Sequence, residues 1–252
     1  ILNQDRVDKV IKTKSSTLEE IGLSSYLEMK KIKVVDTNLG DFICNAFEER
    51  PYNAKSSAIH KSTEQVAEMY SYKFELKENC NAKQLTNYTK NILKKEISEA
   101  KALITGANFL VSNTGTIVLT ENEGNILKSS SYSPIHIIVA GIDKLITSME
   151  ELGVLLPLSS LYDVNKNIAS LYSFINSPLN RDDNNQKLYL ILLNNNRTEL
   201  LSKDKQRSIL SCIQCGACIE VCPIYNTIGG HTYQEYNPGP VGSIAMPILK
   251  GM

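Results

Sequence analysis

The sequence predicts an α/β protein, a sheet covered on both faces, followed by a small cysteine-rich module. Three observations predict it. Strand-like and helix-like segments alternate over about residues 1–200, the pattern of β-α-β units with parallel pairing. "PIHIIVAGI" (134–142) is a continuous apolar run, suited to a strand buried on both sides. "CIQCGACIEVCP" (212–223) sets four of the six cysteines at C-x2-C-x2-C-x3-C-P, outside any such pattern.

The elements follow in order. "KVIKTKS" (9–15) is rich in β-branched residues and reads as a strand. Residues 16–31 read as one helix, with Leu18, Ile21, Leu23 and Leu27 near helical spacing and Thr17 with Glu20 as a capping pair. "IKVVDT" (32–37) is a second strand and completes a β-α-β unit. "DFICNAFEE" (41–49) has no clear type. Residues 61–74, with Ser62 and Gln65 as a capping pair, and 84–100 read as helices. Residues 101–126 hold three short strands punctuated by Gly and Asn. After 134–142, a helix is expected around 144–153, a polar irregular stretch over 159–186 and a last core strand over 187–195. Residues 229–242 read as mostly turn.

Composition bounds the function. The chain has 252 residues, 42% of them hydrophobic, enough for a substantial core. Lys plus Arg and Asp plus Glu number 27 each, and no basic stripe interleaves with aromatics, so nothing argues for a nucleic-acid partner. No apolar stretch approaches the roughly 18 residues that span a bilayer. The chain begins at Ile1 rather than Met and is read as part of a longer one. Clustered cysteines in a chain this long suit a metal site in a reducing compartment, hence a cytoplasmic protein.

The cysteine spacing points to iron–sulfur chemistry. Two-residue spacers let the backbone wrap a [4Fe–4S] cube, Gly216 and Ala217 permit close approach, and Pro223 redirects the chain. In such runs the fourth cysteine ligates a second cluster. Cys212, Cys215 and Cys218 are therefore assigned to one cube and Cys222 to another, with a second cysteine run expected beyond Met252. A single cube that uses Cys222 is the alternative. Structural zinc fits less well, because it favours two separated C-x2-C knuckles. Cys44 and Cys80 stand alone and read as packing residues.

Three Gly-containing loops, "TGAN" (105–108), "NTGT" (113–116) and "NEGN" (122–125), mark a candidate pocket. Lys14 ends the first strand before a helix start, where anions are favoured. The pocket candidates are Lys14, Thr105, Gly106, Asn108, Thr114, Gly115, Glu123 and Asn125. The same loops are also explained as hairpin turns that need Gly and Asn for positive φ. His60 either caps a helix or faces a pocket. His136, in an apolar strand, reads as a core histidine. His231 is placed to tune a cluster or to serve a turn. No nucleophile–base pair or dinucleotide fingerprint is present, and no catalytic residue is assigned.

"KTKSSTLEEIGL", "VVDTNLGDFI", "AIHKSTEQV", "ITGANFLVSNTGTIVLTENEGN", "IHIIVAGIDK" and "CIQCGACIEVCPIYNTIGGHTYQEYNPGPVGS" occur in that order. Together they resemble the lactate-utilisation (LUD) domain family, specifically the iron–sulfur subunit (B component) of a three-part L-lactate oxidation system. The resemblance implies a CoA-transferase/ribose-phosphate-isomerase-like (Rossmann-like) sheet over 1–200 and, over 201–252, the first half of a ferredoxin-type module with two [4Fe–4S] clusters. It implies electron transfer during oxidation of L-lactate to pyruvate, beside sister subunits, with the electron acceptor unspecified. Asn113 stands where the family usually has an acidic residue, and Gln214 where Arg is common. A different reading makes the α/β part a small-acid or phosphate-binding, transferase-like domain with a redox-sensing or structural iron–sulfur clip.

Overall fold

The computed structural model describes residues 1–53, 56–77, 80–164, 169, 171–180, 185–233 and 237–251. It is α/β, built on two sheets. Strand β1 (Lys9–Lys12) leads to helices α1 (Ser16–Glu20) and α2 (Leu23–Met29), then to β2 (Lys33–Asp36) and α3 (Leu39–Ala46). Where one helix was expected over 16–31 there are two, because Gly22 (φ 61) turns the chain between them. The expected Thr17–Glu20 capping pair does not form. Ser15 holds the cap position without a side-chain bond, and Glu20 is drawn to a buried arginine instead.

Helices α4 (Thr63–Phe74) and α5 (Ala82–Glu99) each open with a reciprocal capping box, Ser62 with Gln65 and Asn81 with Gln84. Strand β3 (Ala102–Thr105) returns to the first sheet, whereas β4 (Phe109–Val111) and β5 (Thr116–Glu121) form an antiparallel hairpin in the second. Helix α6 (Asn125–Tyr132) precedes β6 (Ile135–Gly141), all seven residues of which are buried, as expected of a strand covered on both faces.

No helix spans 144–153 as a unit. A 3-10 turn (Ile142–Lys144) leads to β7 (Leu145–Ile146), which pairs with β4, and α7 (Leu152–Val164) starts later. Glu151 sets that start, its carboxylate accepting the N–H groups of Thr147 (2.9 Å) and Ser148 (3.0 Å). The stretch 159–186 is less irregular than expected: it holds the end of α7 and β8 (Leu171–Ile175), which pairs with β5. Residues 165–168, 170 and 181–184 of that stretch lie outside the described residues. Strand β9 (Lys187–Leu193) completes the first sheet, and α8 (Arg197–Leu201) follows it. The cysteine segment carries α9 (Ala217–Glu220) and α10 (Pro223–Ile228). Of residues 229–242, expected to be mostly turn, His231–Tyr233 form a 3-10 turn and the last four begin α11 (Gly239–Leu249), while residues 234–236 lie outside the described residues.

The first sheet has the order β2-β1-β3-β6-β9, with every pair parallel. Alternation along its strands gives each face its own core. Val10, Ala102, Ile104, Ile135, Ile137 and Val139 pack with Leu18 and Leu27 of α1 and α2. Ile11 and Leu103 meet Leu93 and Ile97 of α5. No described helix is long and apolar enough to cross a membrane.

Candidate functional site

The strand order reverses direction at β1, and its neighbours β2 and β3 are reached by crossovers to opposite sides. In open parallel sheets, such a switch point leaves a crevice beyond the carboxyl ends of the strands. A cavity of about 630 Å³ opens there, and its wall takes in Lys14 and Ser15 after β1 and Gly106 after β3. The same cavity is bounded by Cys212, Gly216 and Cys218 from the cysteine segment.

Close approach of the two loops requires Gly106. A Cβ there would run into the Oγ and Cβ of Ser15. Gly106→Ala is expected to cost about 1–3 kcal/mol by overpacking, read as a lowered urea midpoint. A variant as stable as the parent would refute this packing.

Charged groups around the cavity are mutually tied. Arg197, 3% exposed, forks onto both oxygens of Glu20 at 2.8 Å each, and its Nε donates to Asp143 Oδ1. Lys144 Nζ lies 3.6 Å from Asp143 Oδ2 and donates to the Cys212 carbonyl at 3.3 Å. Burial pushes the Lys144 ammonium below its ordinary range, with Asp143 opposing. Two acids and two bases therefore share one buried site that joins α1, the segment after β6, α8 and the cysteine segment. Asn195 (φ 40) and Asn196 (φ 64) make the left-handed turn that aims Arg197 inward, and Asn suits that turn. Sequence reasoning missed this group. The only local signal was "IDK", charged residues directly after an all-apolar strand.

The cysteine segment is fastened to the α/β body at several points. Ile213 packs on the cluster of Phe109, Val111, Val118 and Leu152. Asn53 Nδ2 donates to Tyr225 Oη at 2.7 Å, and Ser16 Oγ donates to the Gln214 side-chain oxygen. Gln214 (φ 60) and Gly216 (φ 82) are both left-handed and turn the chain between successive cysteines. The Gln214 N–H thereby comes to 3.3 Å from Cys212 Sγ. Cys222 caps α10, its Sγ accepting the Tyr225 N–H at 3.5 Å. Burial raises the Cys212 thiol above its ordinary range, so any metal it takes must displace a proton.

The pocket candidates divide. Lys14, Gly106, Asn108, Glu123 and Asn125 are on the cavity wall. The Lys14 N–H donates to Asn38 Oδ1 at 3.0 Å, and Glu123 accepts from Asn125 Nδ2 at 2.7 Å. Thr105 is not on that wall: it is fully buried, and its hydroxyl meets His136 Nε2 at 3.0 Å. Thr114 and Gly115 (φ 66) form the β4–β5 turn, with Thr114 bonded to Thr116 at 2.7 Å. Of the cysteines, Cys212 and Cys218 border the cavity, while Cys215 and Cys222 lie outside its wall. Cys44 is fully buried, and burial pushes its thiol up to about 11, an inert packing residue. Cys80 Sγ donates to the Lys77 carbonyl at 3.1 Å.

His136 is a core histidine, 1% exposed, and burial lowers its pKa from 6.5 to about 4. The unfolded ring binds a proton near pH 6.5 and the folded ring only near 4, so acid favours unfolding. The contribution is flat above pH 6.5 and declines as pH falls from 6.5 toward 4. We expect His136 to account for about 2 kcal/mol of the stability lost between pH 7 and pH 5. His136→Gln, less stable at pH 7, should lose correspondingly less over that interval. An unchanged pH slope in urea unfolding would contradict this.

Comparison with known proteins adds to the geometry. A family model described as "LUD domain" matches residues 4–191. The chain is similar to Lactate utilization protein B of Bacillus cytotoxicus, 33% identical over 253 residues, covering 100% of this chain and 53% of that protein. The protein of the same name in Bacillus pumilus is also 33% identical over 253 residues, with the same coverage. The chain thus spans about half the length of the curated relatives it matches. A solved DUF162-family protein from Deinococcus radiodurans shares 19% identity over 39% of this chain and 57% of its own, with a TM-score of 0.29, an overlap too small to bear on the fold.

Proposed function

The chain belongs to the LUD domain family, and from that premise we propose that it is the iron–sulfur, electron-transferring part of a system that oxidises L-lactate to pyruvate. One observation carries the reading: Lys14 and Asn108 line the same switch-point cavity as Cys212 and Cys218 of the cysteine segment. A small carboxylate held near Lys14 would lie in the same cavity that the cysteines border. The name of the relatives, lactate utilization protein B, supports lactate as the substrate of the wider system.

The residues present suit [4Fe–4S] clusters. Four thiolates are softly basic donors, and the left-handed turns at Gln214 and Gly216 direct main-chain N–H groups toward sulfur, as the Gln214 contact with Cys212 illustrates. Cys212, Cys215 and Cys218 would hold one cube and Cys222 would serve a second. Bound there, the clusters would supply one-electron acceptance and relay. The protein's own part is to orient the thiolates, to exclude bulk water with Ile213 and Ile219, and to fix the segment through Lys144 and Asn53.

Sister subunits of the same system would be the partners, in a reducing, cytoplasmic setting. The test is full-length protein reconstituted anaerobically. We expect two clusters by iron and sulfide assay, bleached by L-lactate only when the sister subunits are present. Clusters that stay oxidised in the complete assembly would refute the reading.

A further inference from the structure

Away from the cavity, the chain brings together three side chains that nothing in the preceding reading uses. Glu49 follows α3, His60 precedes α4, and His231 follows α10 in the cysteine segment. Each offers one ligand atom within 4.8 Å of the other two. We propose that Glu49, His60 and His231 form a binding site for a divalent first-row transition-metal ion that clips the cysteine segment to the α/β body.

The donor set is the first support. Two imidazoles and one carboxylate suit zinc, iron, cobalt or nickel, and they leave positions open for solvent. The distances are the second. His60 Nε2 and Glu49 Oε2 are 2.9 Å apart, which is the separation of two adjacent ligands at right angles around an ion with bonds of about 2.1 Å.

The surroundings are the third. Metal-bound histidines characteristically donate the other ring N–H to a carbonyl or carboxylate. His231 Nε2 is 3.0 Å from the Arg50 carbonyl, so that nitrogen carries the proton and Nδ1 keeps the lone pair. Glu49 is held from behind: Lys61 Nζ sits 2.5 Å from Oε1, the oxygen that His60 does not use. The rings are also fixed. His60 and His231 meet edge to face at 4.8 Å between centroids, and Tyr52 packs on both, at 5.2 and 5.1 Å. Backbone contacts close the site from the other side: a Cβ on Gly230 would strike the Tyr52 carbonyl, so only glycine lets His231 come this near.

This inference does not depend on the iron–sulfur reading, and its test separates the two. Full-length protein is titrated with Co²⁺ and followed by visible and near-ultraviolet absorption. We expect one equivalent to bind with weak visible bands and without the intense near-ultraviolet thiolate charge-transfer band that cysteine ligation produces. Glu49→Gln and His231→Ala should each weaken binding by about 10- to 100-fold. Excess Zn²⁺ should raise Tm by several degrees in the parent and in neither variant. Binding that carries the thiolate band, survives both substitutions, or is absent would overturn the proposal. Glu49→Gln guards against a folding artefact, since it keeps the shape of a partly exposed side chain.

Discussion

Cys215→Ser and Cys222→Ser will each remove about half the iron and sulfide of the full-length protein, and each will remove a different cluster. The expectation follows from ligand count: two cubes need four thiolates each, and residues 212–222 hold only four in all. On the proposed assignment, Cys215→Ser would strip a ligand from the cube held with Cys212 and Cys218, and Cys222→Ser would strip one from the second cube. The serine at 222 should leave the fold intact, because Cys222 caps α10 and serine is among the best residues at a helix N-cap. Electron paramagnetic resonance of the reduced proteins distinguishes the clusters by their separate signals. If both variants lose the same signal, Cys222 is the fourth ligand of a single cube and the two-cluster reading fails.

Arg197→Met will destabilise the protein by about 3–5 kcal/mol. Arg197 is 3% exposed and bonded to Glu20 and Asp143, which are 2% and 8% exposed at the side chain. Methionine fills much of the same volume but strands two buried carboxylates beside a single lysine. Removal of one partner from a buried ion pair is costly for that reason, whereas replacement of the whole set by apolar groups is often tolerated. Arg197→Lys should fall between parent and Arg197→Met, because an ammonium keeps the charge but cannot fork onto both Glu20 oxygens. Urea unfolding reads the differences. A loss under about 1 kcal/mol for Arg197→Met would show that the charges relax to solvent. The consequence would reach the cysteines, since Lys144 links Asp143 to the Cys212 carbonyl.

Local signals carried much of this protein. Ser62 with Gln65 announces the start of α4 because a capping box is a contact between residues three apart. The unbroken apolar run of β6 announces burial on both faces. The cysteine spacing resembles that of iron–sulfur ligands, a likeness that rests on donors counted over a few residues. Misreadings arose where a distant partner outbid a local one. Glu20 forgoes the cap of α1 for a guanidinium that lies 177 residues away. Lys144, read as the start of a helix, is held in the same buried group, and α7 begins only at Leu152. Thr105 sits in a Gly-containing loop by sequence, yet the parallel register of β3 with β6 turns it toward His136 and away from the cavity.

By itself, the sequence determined the α/β class, the first parallel unit, the two capped helices and the likeness of the cysteine run to iron–sulfur ligands. Each rests on residues close together in the chain, where backbone geometry fixes who meets whom. The tertiary structure alone decided that Lys14, Gly106 and Cys212 border one cavity, that Arg197 joins Glu20 to Asp143, and that Glu49 and His60 meet His231. Those encounters depend on strand order and on which face each crossover covers. They are set by how whole elements pack, and no spacing within a single segment encodes them.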